Sequence, residues 1–255
     1  VKSFADGALG PQTAAMLLPY EGSTTNFGTL QLKADDVFEL GMRAVPNGLS
    51  LAIHAIGDRA THEVLNGFGM LREYERRMGL PSLNHRIEHL QLMHPDDLLK
   101  VRQLDLTASM QPQHTTSDRF IAAQYWGSRS KYAYLFKTMV TSGARLIFGS
   151  DAPVETPNPF LGMHAAVTRN RAGDNSSSTG WYPDEKITLA QALDAYSITP
   201  AIVAGRSKQF GSLTAGSKAD LIVLEQDPFN LPPSELYTVS PSAVMVDGNW
   251  VVNHL

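Results

Sequence analysis

The stretch LSLAIHAIGDRATHEVLNGFGMLREYERRM, residues 49–78, joins two patterns of different period. Its first eight residues form a short, almost continuous apolar run, which is typical of a strand buried on both faces. Residues 58–78 then place apolar side chains three and four positions apart, with charges on the opposite side, as an amphipathic helix does. A buried strand that leads directly into such a helix indicates an α/β fold with parallel strands joined by crossover helices.

The same alternation continues along the chain. Further helices are predicted over residues 94–104, where Pro95 occupies a first-turn position, and over residues 187–205, where Thr188 and Gln191 have the spacing of a capping box. Strands are predicted for VKSFA (1–5), LSLAIHAI (49–56), HRIEHLQL (85–92), LTASMQPQ (106–113), ARLIFGSD (144–151), ADLIVLE (219–225) and AVMVDGNWVV (243–252).

The pattern of alternating strands and helices ends at Gly205. The remaining strands follow one another with turn signals and without a helical pattern between them. We therefore expect two domains, a partial barrel over residues 1–205 and a portion of a β-sandwich over residues 206–255. The polar segment 171–185 is predicted to be a long loop that is able to cover a site.

Composition limits the function classes. The 255 residues include 43% hydrophobic and 18% charged residues, with a net charge of −4, so neither nucleic acid nor an anionic membrane is an expected partner. The absence of cysteine excludes disulfides and thiolate ligands, and a metal would have to be held by histidine, carboxylate or a modified lysine. The sequence shows neither a bilayer-spanning stretch nor a signal-peptide pattern, and a cytoplasmic location is expected.

Three apolar strands end on a polar group that is able to bind metal. These groups are His54, His89 and Asp151, and parallel α/β folds carry their functional residues at such strand ends. Each alone has a structural interpretation: a hydrogen-bonded core histidine, an ion-paired histidine, and an Asx turn or helix cap. Lys2 lies within an apolar strand start, where it is either a functional group or a residue at a frayed end. His114 is predicted to end a further strand as a pocket residue.

Taken together, several motifs resemble the metal-dependent amidohydrolase superfamily, and within it amidohydrolase family 3, which includes N-substituted formamide deformylases. The resemblance extends from Val1 to about Asn253, and IHAIGDRA followed by RIEH and GSD is its most specific part. The motifs are VKSFADGALGPQTAAM, AIHAIGDRATHEVL, RIEHLQL, ASMQPQH, FGSDAPVETPNPF and GSLTAGSKADLIVLEQDPF.

This resemblance implies a (β/α)₈ TIM barrel, present here from about strand four to strand eight, with a small β-sandwich appendage. It implies that Lys2 (as a carboxylated lysine), His54, His89 and Asp151 hold one or two divalent cations, with zinc as the expected ion. Asp151 would be the general acid and base in the hydrolysis of carbon–nitrogen bonds of small-molecule amides by a metal-activated water. Candidates for holding the substrate carbonyl are Gln111, Gln113 and His114.

The sequence departs from the family pattern in one respect. No His-x-His pair, the family's strand-one metal motif, occurs in the 255 residues. We therefore expect this chain to be the carboxyl-terminal portion of a longer enzyme, with a homo-oligomer or an amino-terminal half as partner. The alternative is a non-catalytic half-barrel that acts as a binding or assembly module. An aldolase that uses Lys2 for Schiff-base chemistry has only that lysine in its favour.

Overall fold

The computed structural model describes residues 1–174 and 179–255. Part of the polar loop predicted over residues 171–185 therefore lies outside the described residues. The strands are β1 Lys2–Phe4, β2 Ala52–Ala55, β3 Arg86–His89, β4 Thr107–Met110, β5 Arg145–Phe148, β6 Leu221–Val223, β7 Ala243–Val246 and β8 Asn249–Asn253. The α-helices are α1 Ala34–Ala44, α2 Asp58–Met78, α3 Lys100–Gln103, α4 Pro112–Trp126, α5 Phe136–Ser142, α6 Pro159–Thr168, α7 Leu189–Tyr196 and α8 Ile198–Val203.

The chain divides into two compact units. The first comprises residues 1–110 and 117–146, and the second comprises residues 111–116 and 147–255. Strands β1 to β5 form one sheet in their sequence order, with parallel pairing from β1 through β4. The α/β class and a sheet of five strands, as the sequence predicts, are therefore confirmed.

One face of the sheet in the first unit carries a row of polar residues. Phe4 pairs with His54, His54 with Glu88, and Glu88 with Ser109. Since paired residues of parallel strands point to the same side, these side chains share one face, and Lys2 joins them two residues before Phe4. The opposite face is apolar and buried, as in the row Ile53, Ile87 and Ala108.

Helix α2 has the predicted bounds, residues 58–78, and packs closely against α1. It begins after Gly57 and ends at Gly79, whose left-handed backbone (φ 64°) suits glycine. Its buried face includes Val64, Leu65, Phe68 and Leu71. A Cβ on Gly67 would lie 2.6 Å from the carbonyl oxygen of Ala34, so glycine at that position permits α1 to approach α2 closely.

Two predicted helices differ in detail. Residues 94–104 form a 3-10 turn, Pro95–Asp97, followed by the short α3. The pattern over 187–205 forms two helices, α7 with its expected capping box and α8, separated at Ser197. Pro200 lacks the N–H that a continuous helix would need for its hydrogen bond to residue 196, which explains the interruption.

The predicted strand 106–113 is wrong at its end. Strand β4 stops at Met110, and His114 lies in the first turn of α4 instead of ending a strand. Proline favours the first position of a helix because the missing N–H would be unbonded there, so Pro112 accounts for the early change.

The second unit contains a separate antiparallel sheet in the order β6-β7-β8. Asp247 and Gly248 join β7 to β8 with positive φ values of 48° and 80°, the backbone of a tight hairpin turn. This sheet lies within the segment 206–255, and the boundary at residue 206 stays a prediction. No helix in the described ranges is long and apolar enough to cross a bilayer.

Candidate functional site

His54 and His89 come together at the ends of neighbouring strands in the first unit. Their ring centroids lie 4.5 Å apart in an edge-to-face arrangement, and both residues are buried. His54 lies in the apolar strand β2, and its side chain is on the same face of the sheet as Glu88. His89 is the last residue of β3, which is paired to β2 in parallel.

The hydrogen bonding of His54 determines its tautomer. Its Nε2 lies 2.8 Å from the carbonyl oxygen of Gly7, which only accepts, so Nε2 carries the proton. In the neutral ring, Nδ1 then keeps its lone pair and is able to bind a cation. His54 therefore fits a metal site by the chemistry of its free nitrogen.

Asp6 orients this region, and the sequence interpretation did not include it. Its Oδ2 accepts hydrogen bonds from the backbone N–H groups of Ala15 (2.9 Å) and Gly57 (2.8 Å), and its Oδ1 accepts from Ile56 (3.1 Å). Oδ1 also lies 3.4 Å from His54 Nε2. The only signal in the sequence is an aspartate beside Gly7, directly after strand β1.

Lys2 and Glu88 share the polar face with His54. Lys2 is exposed, and its Nζ lies 5.5 Å from the ring centroid of Phe4, which is 52% exposed. Burial raises the pKa of Glu88, but hydrogen bonds from Ser109 and Arg86 and the charge of Lys2 outweigh it, so the pKa lies below its usual value. Glu88 is therefore ionised at neutral pH.

The backbone at two candidate residues is unusual. His89 and the following Leu90 have φ values of 72° and 47°, and Asp151, in the second unit, has a φ of 57°. Non-glycine residues in this region cost free energy, about 1–3 kcal/mol in strained cases, and they concentrate at functional sites. The surrounding structure must therefore hold His89 and Asp151 in these backbone conformations.

In the second unit, His114 lies between two carboxylates. Its Nε2 is 3.6 Å from Asp151 Oδ2, and its Nδ1 is 3.7 Å from Glu155 Oε1. The Asp151 side chain is 44% exposed, whereas that of His114 is 8% exposed. A solute can therefore reach the Asp151 carboxylate, whereas the His114 ring is buried. Glu155 is a further residue that the sequence interpretation missed, because an acidic loop residue between prolines has no distinctive pattern.

The two glutamines predicted to bind substrate are both buried. Gln113 donates from Nε2 to the carbonyl oxygen of Thr156 at 3.0 Å and so fixes the loop that follows Asp151. Asp151 also accepts from the N–H of Val154 through its carbonyl oxygen, at 2.9 Å, which closes a turn. The backbone carbonyl closes this turn, whereas the Asx turn considered from the sequence would be closed by the side-chain carboxylate, which is 44% exposed.

The first unit is thus a parallel α/β structure with two buried histidines at neighbouring strand ends, where such folds carry functional residues, and histidine is a common metal ligand. The amidohydrolase family model matches residues 1–252, and the chain belongs to that family.

Individual relatives agree with this assignment. The chain is 29% identical to the N-substituted formamide deformylase of Arthrobacter pascens over 231 residues, 90% of this chain and 41% of that protein. It is 33% identical to the Arabidopsis thaliana protein LONG AFTER FAR-RED 3 over 232 residues, 90% of this chain and 39% of the relative. The crystal structure of a metal-dependent hydrolase from Pyrococcus furiosus superposes with a TM-score of 0.76 at 33% identity, covering 90% of this chain and 45% of that one. The chain thus spans less than half the length of each.

Proposed function

We propose that this chain forms the carboxyl-terminal part of a metal-dependent hydrolase that cleaves carbon–nitrogen bonds, other than peptide bonds, in small-molecule amides. The observation that carries the proposal is the contact of His54 with His89 at neighbouring strand ends, with the Nδ1 lone pair of His54 available. The family membership and the deformylase relative support the reaction class.

The proposed ligands of the divalent cation are Lys2, in carboxylated form, with His54, His89 and Asp151. Imidazole and carboxylate groups suit zinc, and the chain has no thiolate to offer. The exposure of Lys2 leaves its amine open to carbon dioxide, which carboxylation would require. A bound cation of this kind polarises a carbonyl group and lowers the pKa of water towards neutrality.

The protein's own groups would then manage position and protons. Asp151 accepts a proton from the attacking water and returns it to the leaving nitrogen, the role of a general base followed by a general acid. Its left-handed backbone and the fixed turn present the carboxylate outward, and His114 restrains it from one side. Gln111, Gln113 and His114 are the proposed contacts of the substrate carbonyl.

The substitution Asp151→Asn tests this proposal in the protein encoded by the complete gene. Asparagine keeps the shape and tolerates the left-handed backbone, so the melting temperature should stay nearly unchanged. Turnover of an N-substituted formamide should fall by about 10²–10⁴-fold, because general acid–base catalysis contributes about that factor. Metal content, measured by mass spectrometry after dialysis, should fall less.

Asp184→Asn is the matched control, because Asp184 is an exposed aspartate of the second unit without a role in the proposal. It should leave turnover at the parent level. Near-normal turnover in Asp151→Asn would refute the assigned role of this residue. A complete protein that binds metal and hydrolyses no amide would favour the binding or assembly module instead.

A further inference from the structure

A cavity of about 500 Å³ lies in the second unit beside the carboxyl end of helix α6. This volume lies within the usual range for sites that bind small organic molecules. Its wall includes His164, Thr168, Asn170, Arg171, Lys186 and Tyr237. None of these residues belongs to the candidate hydrolytic site.

The wall of this cavity is positively charged. Within residues 1–174 and 179–255, neither Arg171 nor Lys186 forms an ion pair, although both line the cavity. Asp174 also lines it, so two cations face a single carboxylate when His164 is neutral. The excess of one positive charge on this concave wall attracts an anion, and the guanidinium group of arginine binds carboxylate and phosphate in a bidentate manner.

His164 is the buried aromatic part of the cavity wall. Its side chain is only 3% exposed, and its Nδ1 has no hydrogen-bond partner in the described part of the chain. Burial lowers its pKa, so the ring is neutral near pH 7. The ring therefore adds an uncharged surface to the cavity wall and no third positive charge. Tyr237 packs edge-to-face on the same ring, with centroids 5.3 Å apart.

The cavity is distinct from the candidate hydrolytic site within the same unit. Asp151 precedes the amino end of α6, whereas Arg171 follows its carboxyl end at Thr168. Asp151 is not among the residues that line the cavity.

We propose that this cavity is a second binding site for a small organic anion. A carboxylate or phosphate group pairs with Arg171 and Lys186, and the body of the ligand packs against His164 and Tyr237. The inference rests on the cavity alone and does not depend on hydrolytic activity.

Isothermal titration calorimetry of the protein encoded by the complete gene tests this, with benzoate and phenyl phosphate as probes. We expect saturable binding of at least one probe, and the stronger one identifies the preferred anionic group. Affinity should fall at least tenfold in Lys186→Met and in Arg171→Gln. It should stay unchanged in Lys208→Met, an exposed lysine of the same unit that does not line the cavity. Circular dichroism checks that each variant is folded.

The variant Asp151→Asn separates this site from the hydrolytic one. Binding of the probe should be retained in that variant, whatever happens to turnover. The proposed anion site would be overturned if neither probe showed saturable binding at millimolar concentration. It would also be overturned if binding were lost in Asp151→Asn and retained in Lys186→Met. Either result would leave the hydrolase proposal untouched.

Discussion

The substitution Asp6→Asn should destabilise the protein strongly although it changes one atom. Asp6 is 2% exposed, and its two oxygens accept three backbone N–H groups, from Ala15, Ile56 and Gly57. These bonds tie the segment after β1 to the start of helix α2. In asparagine, one of the two acceptor oxygens becomes an NH₂ group, which is a donor.

Both orientations of the new amide are unfavourable. With the nitrogen in the place of Oδ1, it faces the N–H of Ile56 and the Nε2–H of His54. With the nitrogen in the place of Oδ2, it faces the N–H groups of Ala15 and Gly57. One or two hydrogen bonds to a charged acceptor are therefore lost in a buried setting, at about 1.5–3 kcal/mol each. We expect the free energy of unfolding to fall by about 2–4 kcal/mol.

Urea unfolding followed by circular dichroism measures this change, provided that the slope with urea is unaltered. Asp35→Asn is the control, because Asp35 is exposed in the first turn of α1, and it should shift stability by about 0.5 kcal/mol or less. An equally small shift in Asp6→Asn would refute the assigned role of the three backbone bonds.

Two further predictions concern acid and the sheet edges. Burial lowers the pKa of His85, whose Nδ1 already accepts the N–H of Leu51, so the unfolded chain binds this proton more readily than the folded one. The free energy of unfolding should therefore decline as pH falls below about 6.5, and it should decline less in His85→Gln. Urea unfolding at pH 7.5 and at pH 5.0 measures the decline in each protein, and an equal decline in parent and variant would contradict this prediction. Strands β1 and β5 are the edges of the five-stranded sheet, so the isolated 255-residue chain should self-associate through them, and a monomeric mass by light scattering at all concentrations would contradict it.

The strand–helix units could be read from the sequence because their local patterns and their tertiary roles agree. Helix α2 has apolar residues on one face, a glycine stop at Gly79 and charges in its last turn, and all these signals are local. Helix α4 was not predicted, since its apolar residues do not gather on one face. The position of His114 was therefore assigned to the wrong kind of element.

The types of residue that carry the candidate chemistry were also visible in the sequence, because a polar group at the end of an apolar strand is costly unless it is hydrogen-bonded, paired or near a metal. The motifs around His54, His89 and Asp151 led to the family that the comparison confirms. What the sequence could not supply was the geometry, since the residues that meet are far apart in the chain. Only the folded sheet brings His89 against His54.

Tertiary structure also decided the supporting contacts. Asp6 bonds to residues 15, 56 and 57, and such a set depends on how a loop and a helix start approach one another, which no local pattern encodes. The charged cavity has the same origin, because Arg171 and Lys186 lie on separate segments and their charges combine only where packing places both on one wall. Sequence periodicity reports which face of an element is buried, whereas the partners across that face are set by the three-dimensional packing of segments distant in the chain.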